Sequence, residues 1–483
     1  MIRNKMRRMY ITLAALMMAA ALTACSTSGG TADSTIVEKT TTESMAENDK
    51  ETKQIENDWT VGSDTEESEE NGDAASEYFT ERDLEQTADT SEAEKIQLTS
   101  GQDVSIDKEG VYVISGEAEN VTITVEAGDE DKVQLVLDGV TVKNTDTPFI
   151  YVKGADKVFV TTTESDNTVE VSGEFKSDGD TNLDAAIFSK DDLVINGLGT
   201  LNIKSSDNAV SCKDTLKITG STLNISCSGN ALEAHDAIEI ADGTIHITEC
   251  NDGLHAKDSD DDSIGAVYIC GGTFNITAVD DAIHATTTIT IDGGKFTLSA
   301  GECIEGTYIT INDGNIEISA TDDGINAAAK SDKYTPTFEM NGGNVNISMG
   351  AGDTDGVDSN GNIYINGGTI SITGQSTFDY DGEAQYNGGT IIENGKETNT
   401  ITNQFFGGQS GGMGGPGGFQ PDGDFPEGFQ PDENFQPDEN FKPDENRTPD
   451  ENFQPGQNGR PTPGSKPGQK QEQKQEQEEG DTI

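Results

Sequence analysis

The sequence predicts an all-β protein: a parallel β-helix with three short strands per coil, flanked by disordered N- and C-terminal segments. Three observations carry this. From about Leu183 the chain repeats every 21–23 residues or so, stretched in two places. Each repeat holds three short pieces, and every piece alternates apolar and polar residues with a period of two, the mark of a strand. No segment has the spacing of an amphipathic helix. At about 3.3 Å per strand residue, one repeat would run roughly 70 Å around a triangular coil. A two-sheet sandwich would not explain a fixed period with three unlike strands.

The elements follow in order. Arg3, Lys5, Arg7 and Arg8 precede an apolar run from Tyr10 to Leu22, rather short for a membrane span. The run ends in LTAC, which resembles the bacterial lipobox. Residues 1–24 are therefore expected to be a signal peptide and Cys25 a lipidated N-terminus, tethering the protein outside the cytoplasm. Residues 25–94, rich in Thr, Ser, Glu and Asp, read as a disordered acidic spacer that cannot bury a core. Residues 95–402 form the folded part. It opens with the β-rich runs GVYVISG, NVTITV, KVQLVLDGVTV and FIYV. The repeats follow. First pieces include LVING, VYICGG and ITIDGG, ending in glycine turns. Second pieces follow at once, as in TLNI, TFNI and NIEI. Third pieces are DAAI, NAVS, NALE, DGLH, DAIH, ECIE, DGIN and DGVD. Residues 403–483 turn Gly-rich, then repeat FQPDEN-like units whose prolines forbid regular structure.

The third pieces raise the functional question. Stacked coils lie about 4.8 Å apart, so equivalent residues form columns. The first column reads Asn208, Asn230, Asp252, Asp281, Glu302, Asp323, Asp355. Its amide half is expected to hydrogen-bond from turn to turn. Its carboxylate half is frustrated: two charges near 5 Å repel by about 3 kcal/mol at an effective dielectric near 20. Ca²⁺ relieves this and takes six to eight oxygens, which Asp280, Asp322, Asn251 and Thr354 would help supply. A solvated acidic edge is the plainer alternative. Asp258, Asp260 and Asp262 alternate in a nine-residue insertion, a second candidate calcium site without the EF-hand pattern.

With the central aliphatic residue pointing in, alternation predicts that its neighbours point out. These are a small residue before it (Ala231, Gly253, Ala282, Gly324, Gly356) and a polar one after. The polar column is Ser211, Glu233, His255, His284, Glu305, Asn326, Asp358. A shallow groove lined by hydrogen-bonding groups and lengthening with each repeat suits a polysaccharide. Tyr268 and Tyr364, outward on first strands, are candidates for stacking on sugar rings. His255 and His284 with Glu233 and Glu305 are an alternative metal set. Of six cysteines, the five beyond Cys25 fit no zinc spacing. Cys227 and Cys250 sit in neighbouring repeats where a pair or two small buried side chains would both fit.

The net charge of −59 argues against nucleic acid as a partner and for cations. The LTAC motif, the acidic spacer, LVLDGVTV and the stacked DG(I/L)(H/N/D) motifs together resemble the clostridial-type carbohydrate-binding β-helix proteins over about residues 95–402. The resemblance implies a right-handed helix similar in shape to pectate lyases, calcium at Asp252, Asp280, Asp281, Asp322, Asp323 and Asp355, and attachment to pectic or cellulose-like polysaccharide. The expected protein is a monomeric, calcium-dependent polysaccharide binder on the cell surface. Two other readings stand beside it: a calcium-dependent pectate-lyase-like enzyme and a structural adhesin stalk. An eliminating enzyme needs a base beside calcium, and the polar column holds no Lys or Arg, although Lys213, Lys257 and Lys330 lie just past it.

Overall fold

The computed structural model describes residues 75–351 and 354–404. The expected signal peptide, Cys25, most of the expected spacer and the FQPDEN tail lie outside these residues.

Beyond one helical turn at Ala75–Tyr78, the described chain is built from strands. They form a 24-stranded and a 12-stranded sheet, paired in parallel except at the C-terminal hairpin. Each repeat contributes three strands, and each strand pairs with its counterpart in the next repeat. First strands run Ala237–Ile240, Ala266–Ile269, Thr288–Ile291, Tyr308–Ile311, Thr337–Met340 and Asn362–Ile365. Second strands run Thr244–Glu249, Thr273–Thr277, Lys295–Ala300, Asn315–Ala320 and Asn344–Met349. Both series belong to the larger sheet, joined through the long strand Lys132–Asn144, which pairs with one strand of each. Third strands make the smaller sheet, from Val104–Ile106 to Ser376–Tyr380.

Register puts like upon like. Ile240, Ile269, Ile291, Ile311, Met340 and Ile365 stack as one fully buried column. Phe274 lies on Phe296 with centroids 4.4 Å apart. Burial of this kind contributes about 1.5–3 kcal/mol per large side chain. The glycine turns after the first strands need positive φ, as at Gly294 (φ 113) and Gly314 (φ 121). Beside them runs an amide ladder: Asn387 donates to Asn366, Asn366 to Asn341, Asn341 to Asn312 and Asn312 to Asp292, over 2.7–2.8 Å. The stack closes at Thr390–Glu393 and Lys396–Thr398, an antiparallel hairpin turning on Asn394 and Gly395, both at positive φ. Cys212, Cys227, Cys250, Cys270 and Cys303 are free thiols, so Cys227 and Cys250 do not pair.

Two expectations need correcting. The folded part begins before Lys95. Residues 75–86 lie against the first-strand sheet, with Phe79 at 5% and Asp83 at 0% exposure. Asp83 binds Lys157 Nζ at 3.0 Å, and Gln86 donates to the Thr219 carbonyl and accepts from Gly197 N. Composition missed this strap because two aromatics and one buried ion pair anchor it, too few to register in an average.

The small residues of the third strands also face inward, not outward. Ala231 and Ala282 are fully buried in the core. A Cβ on Gly324 would meet Ile347 Cγ2 at 2.6 Å and the Gly356 carbonyl at 2.5 Å. The chain turns its corner there, which breaks the alternation. Gly324→Ala is therefore expected to destabilise the protein by about 1–3 kcal/mol, as overpacking does, read as a lowered midpoint in urea. An unchanged midpoint would mean that this column faces solvent.

Candidate polysaccharide-binding face

The corner has a functional consequence. Because the small and aliphatic residues both turn inward, the residues three apart on either side of them both turn outward. The acid column and the polar column therefore share one face. Asp252 and His255, Asp281 and His284, and Asn230 and Glu233 are each such a pair, 2.6–3.1 Å apart. Vertical registry holds as well: Asn230 N donates to Asn208 Oδ1 at 2.7 Å, Asp281 N to Asp252 Oδ1 at 3.1 Å and Asp355 N to Asp323 Oδ1 at 3.0 Å.

Along the stack the face divides into three zones. In the first, Glu233 is held by Ser211, Asn208, Asn230 and Lys213 Nζ, the last at 3.0 Å. Burial pushes its carboxyl up, but Lys213 prevails and holds it low.

The middle zone is charged but internally paired. His255 and His284 stack with centroids 4.7 Å apart. His255 Nδ1 lies 2.6 Å from Asp252 Oδ2, close enough for an ion pair although out of line for a ring N–H bond. His284 Nδ1 sits 2.8 Å from Asp281 and 2.9 Å from Glu305, and Lys330 Nζ is 2.6 Å from Glu305. Burial opposes charge on His284, but its two carboxylates raise it to about 9. Burial likewise lifts Asp281 and Glu302, whereas His284 and Lys330 outweigh burial at Glu305 and pull it down. Lys330 enters from the turn after the strand, and sequence spacing alone did not place it at Glu305. Two sets of potential ligand atoms gather within 4.8 Å here: Asp252, Asp280 and Asp281, and Asp281, His284 and Glu305. The second set is already bridged by a cationic imidazole.

In the third zone acids accumulate with no cation among the groups that shift them. Burial, then Asp358, Asp322 and Asp355, raise Asp323 to about 7. Burial, then Asp379, Asp355 and Asp381, raise Asp358 to about 6. Two neutral oxygens are buried and without a hydrogen-bond partner: Asn326 Oδ1, on the register partner of Asp358, and Thr354 Oγ1, on the residue before Asp355. The Asn326 amide is turned by its bond to Glu302 Oε2 at 3.0 Å, with Oδ1 left over.

The remaining candidates lie elsewhere. Asp258 accepts from Asp260 N, Asp262 is exposed, and the insertion's carboxylates form no such cluster among the described residues. Tyr268 and Tyr364 stand on the first-strand sheet, away from this face. Tyr268 is only 5% exposed because Tyr78 of the strap stacks on it, so it is closed to a ligand in this conformation.

The described residues form an all-β stack of parallel strands with a registered row of polar side chains along one side. The chain belongs to the carbohydrate-binding domain family, whose profile for a carbohydrate-binding domain-containing protein matches residues 100–354 and 303–404. A carbohydrate-binding domain-containing protein of Acetivibrio thermocellus is 36% identical over 125 residues, which cover 25% of this chain and 44% of that relative. The chain thus matches less than half the length of that relative. Among solved structures, a polysaccharide lyase-like protein from C. thermocellum, studied as a gadolinium derivative, is similar at 22% identity. That match covers 62% of this chain and 96% of the other, with a TM-score of 0.29.

Proposed function

We propose that the protein is a cell-surface lipoprotein that binds polysaccharide, pectic or cellulose-like, along the third-strand face of a right-handed, three-strand parallel β-helix, with calcium in the acid column. The registered row Glu233, His255, His284, Glu305, Asn326 and Asp358 carries the reading: hydrogen-bonding groups repeat at the coil spacing and suit a repetitive polymer. Family membership supports it. Anchoring at Cys25 rests on the sequence motif.

The third zone is one candidate for calcium, although among the described residues its carboxylates do not gather within 4.8 Å as those of the middle zone do. Asp323, Asp355 and Asp358 would bring charge, and Asn326 Oδ1 and Thr354 Oγ1 are neutral oxygens that lack a donor. That is the donor chemistry of a hard cation with oxygen ligands. Asp252, Asp280 and Asp281 are a second candidate set. Bound calcium would supply positive charge that bridges protein carboxylates to uronate carboxylates. Binding is favoured over elimination because the two candidate bases nearest the acids are already engaged: Lys330 Nζ pairs with Glu305 at 2.6 Å, and His284 Nδ1 lies 2.8 Å from Asp281 and 2.9 Å from Glu305.

Pull-down on insoluble glycans tests this. Retention on polygalacturonate should be lost in chelator, and retention on neutral glucan should fall less. Calcium-independent retention on both would contradict the calcium role. A calcium-dependent rise in the ultraviolet absorbance of unsaturated product would favour the lyase instead.

A further inference from the structure

We infer that the first-strand sheet carries a second, separate glycan site: a tyrosine ladder that stacks on the pyranose faces of a neutral β-linked chain, its first rung closed by the protein's own Tyr78. The inference rests on the polysaccharide-binding reading above and assigns it a different surface.

Three tyrosines recur on every second coil. Tyr268, Thr290, Thr310, Glu339 and Tyr364 stand in one register column, and Tyr308 lies two residues before Thr310 on its strand. Each tyrosine is fixed by the same device. Its hydroxyl donates to a carboxylate on the following coil: Tyr268 to Asp292 at 2.9 Å, Tyr308 to Glu339 at 2.6 Å and Tyr364 to Glu383 at 2.9 Å. A hydroxyl tied to the next coil leans each ring along the stack and leaves its π-face as the contact surface. A tyrosine held so offers a large, rigid, amphipathic contact at little entropic cost.

The strap shows what such a rung accepts. Tyr78 lies on Tyr268 with centroids 3.8 Å apart and planes 16° from parallel. From there the strap follows the same outward column back along the stack. Lys217 stands over the Phe79 ring and Arg82 over Phe159, and Phe159, Val194, Lys217, Glu239 and Tyr268 are successive register partners. A segment of the chain, a helical turn at Ala75–Tyr78 followed by a second turn over residues 81–84, already lies along this column with an aromatic ring seated on its last tyrosine. Beyond Tyr268 the ladder is open: Tyr308 and Tyr364 are partly exposed, and Tyr334 meets Tyr308 edge-on at 6.4 Å.

Spacing and charge choose the occupant. Two coils span about 10 Å. An extended β-1,4-linked chain presents the same ring face to one side at every second sugar, over a closely similar length. The carboxylates beside the rings repel a polyuronate and accept hydrogen bonds from sugar hydroxyls, so a neutral glycan fits and an acidic one does not.

The test uses the full chain in chelator, with soluble cello-oligosaccharide followed by calorimetry. Tyr308→Ala with Tyr364→Ala should weaken affinity at least about tenfold, a typical hot-spot loss, and by more than Asp323→Asn with Asp355→Asn does on the acid face. Tyr78→Ala, with Phe79 and Asp83 still anchoring the strap, should raise affinity severalfold by opening the Tyr268 rung. Wild-type affinity in the double tyrosine variant overturns the site, and unchanged affinity in Tyr78→Ala overturns its occlusion. If the wild type binds glycan but only the acid-face variants lose it, this inference fails and the general reading stands. If the wild type binds no glycan with or without calcium, both fail.

Discussion

Asp323→Asn is expected to raise the melting temperature of the protein in chelator at pH 8, and to remove most of the rise that calcium gives the wild type. The Asp323 carboxyl is held up at about 7, first by burial and then by Asp358, Asp322 and Asp355, against about 3.9 for a free aspartate. A carboxyl raised in the folded state favours folding when it keeps its proton. Its contribution is therefore complete below about pH 4 and is lost as the pH climbs through about 7. Asp358, raised to about 6, acts in the same direction. In chelator the wild type should accordingly lose stability between about pH 5 and 8, by on the order of 1–3 kcal/mol once shared among neighbouring acids. Asparagine cannot ionise, so the variant's profile flattens. On the calcium proposal, an ion bound only to the native protein would restore stability to the wild type through mass action, and the variant would lack one proposed ligand. Thermal melts across this pH range, with and without calcium, decide the matter. A variant less stable than wild type in chelator at pH 8 would show that Asp323 is not under repulsion.

Asp83→Ala should release the strap. The carboxylate is fully buried, accepts from Thr80 N and pairs with Lys157. Burial opposes its charge, yet the Thr80 and Lys157 bonds prevail and hold its pKa low. Removing one partner of a buried pair typically costs about 3–5 kcal/mol because the other charge stays behind. Here Lys157 can regain water if residues 75–86 lift away, so the loss should appear as local opening with little change in the main melt. Limited proteolysis should cut the strap at least about tenfold faster, the population change that about 1.4 kcal/mol of local opening produces. Unchanged cleavage would mean that Tyr78 and Phe79 hold the strap without the ion pair. The double effect on Tyr268 makes this variant informative, since an undocked strap also uncovers the rung beneath Tyr78.

Much of the architecture was legible in residue order. A period of two inside a period of about 21–23 permits only short strands stacked in register, and the columns Asn208 to Asp355 and Ser211 to Asp358 follow from counting. The face of the small residues was not legible. Alternation predicts that Ala282 and His284 share a side; the corner at Asp281 reverses this and puts Asp281 beside His284 instead. Two columns expected to act separately, one for metal and one for sugar, became a single surface. Lys330 was equally hidden, because only the path of the following turn brings its ammonium to Glu305.

Sequence by itself determined the repeat, the inward aliphatic columns and the crowding of acids, since each depends only on residue type and spacing along the chain. Tertiary structure decided how that crowding is neutralised. His284 and Lys330 quiet the middle zone, whereas Asp323 and Asp358 face one another's field with Asn326 Oδ1 and Thr354 Oγ1 still lacking donors. It also decided which tyrosines are open, because the Tyr78–Tyr268 stack joins residues 190 positions apart. Through-space electrostatics and long-range stacking depend on which groups meet, and a local pattern does not encode those meetings.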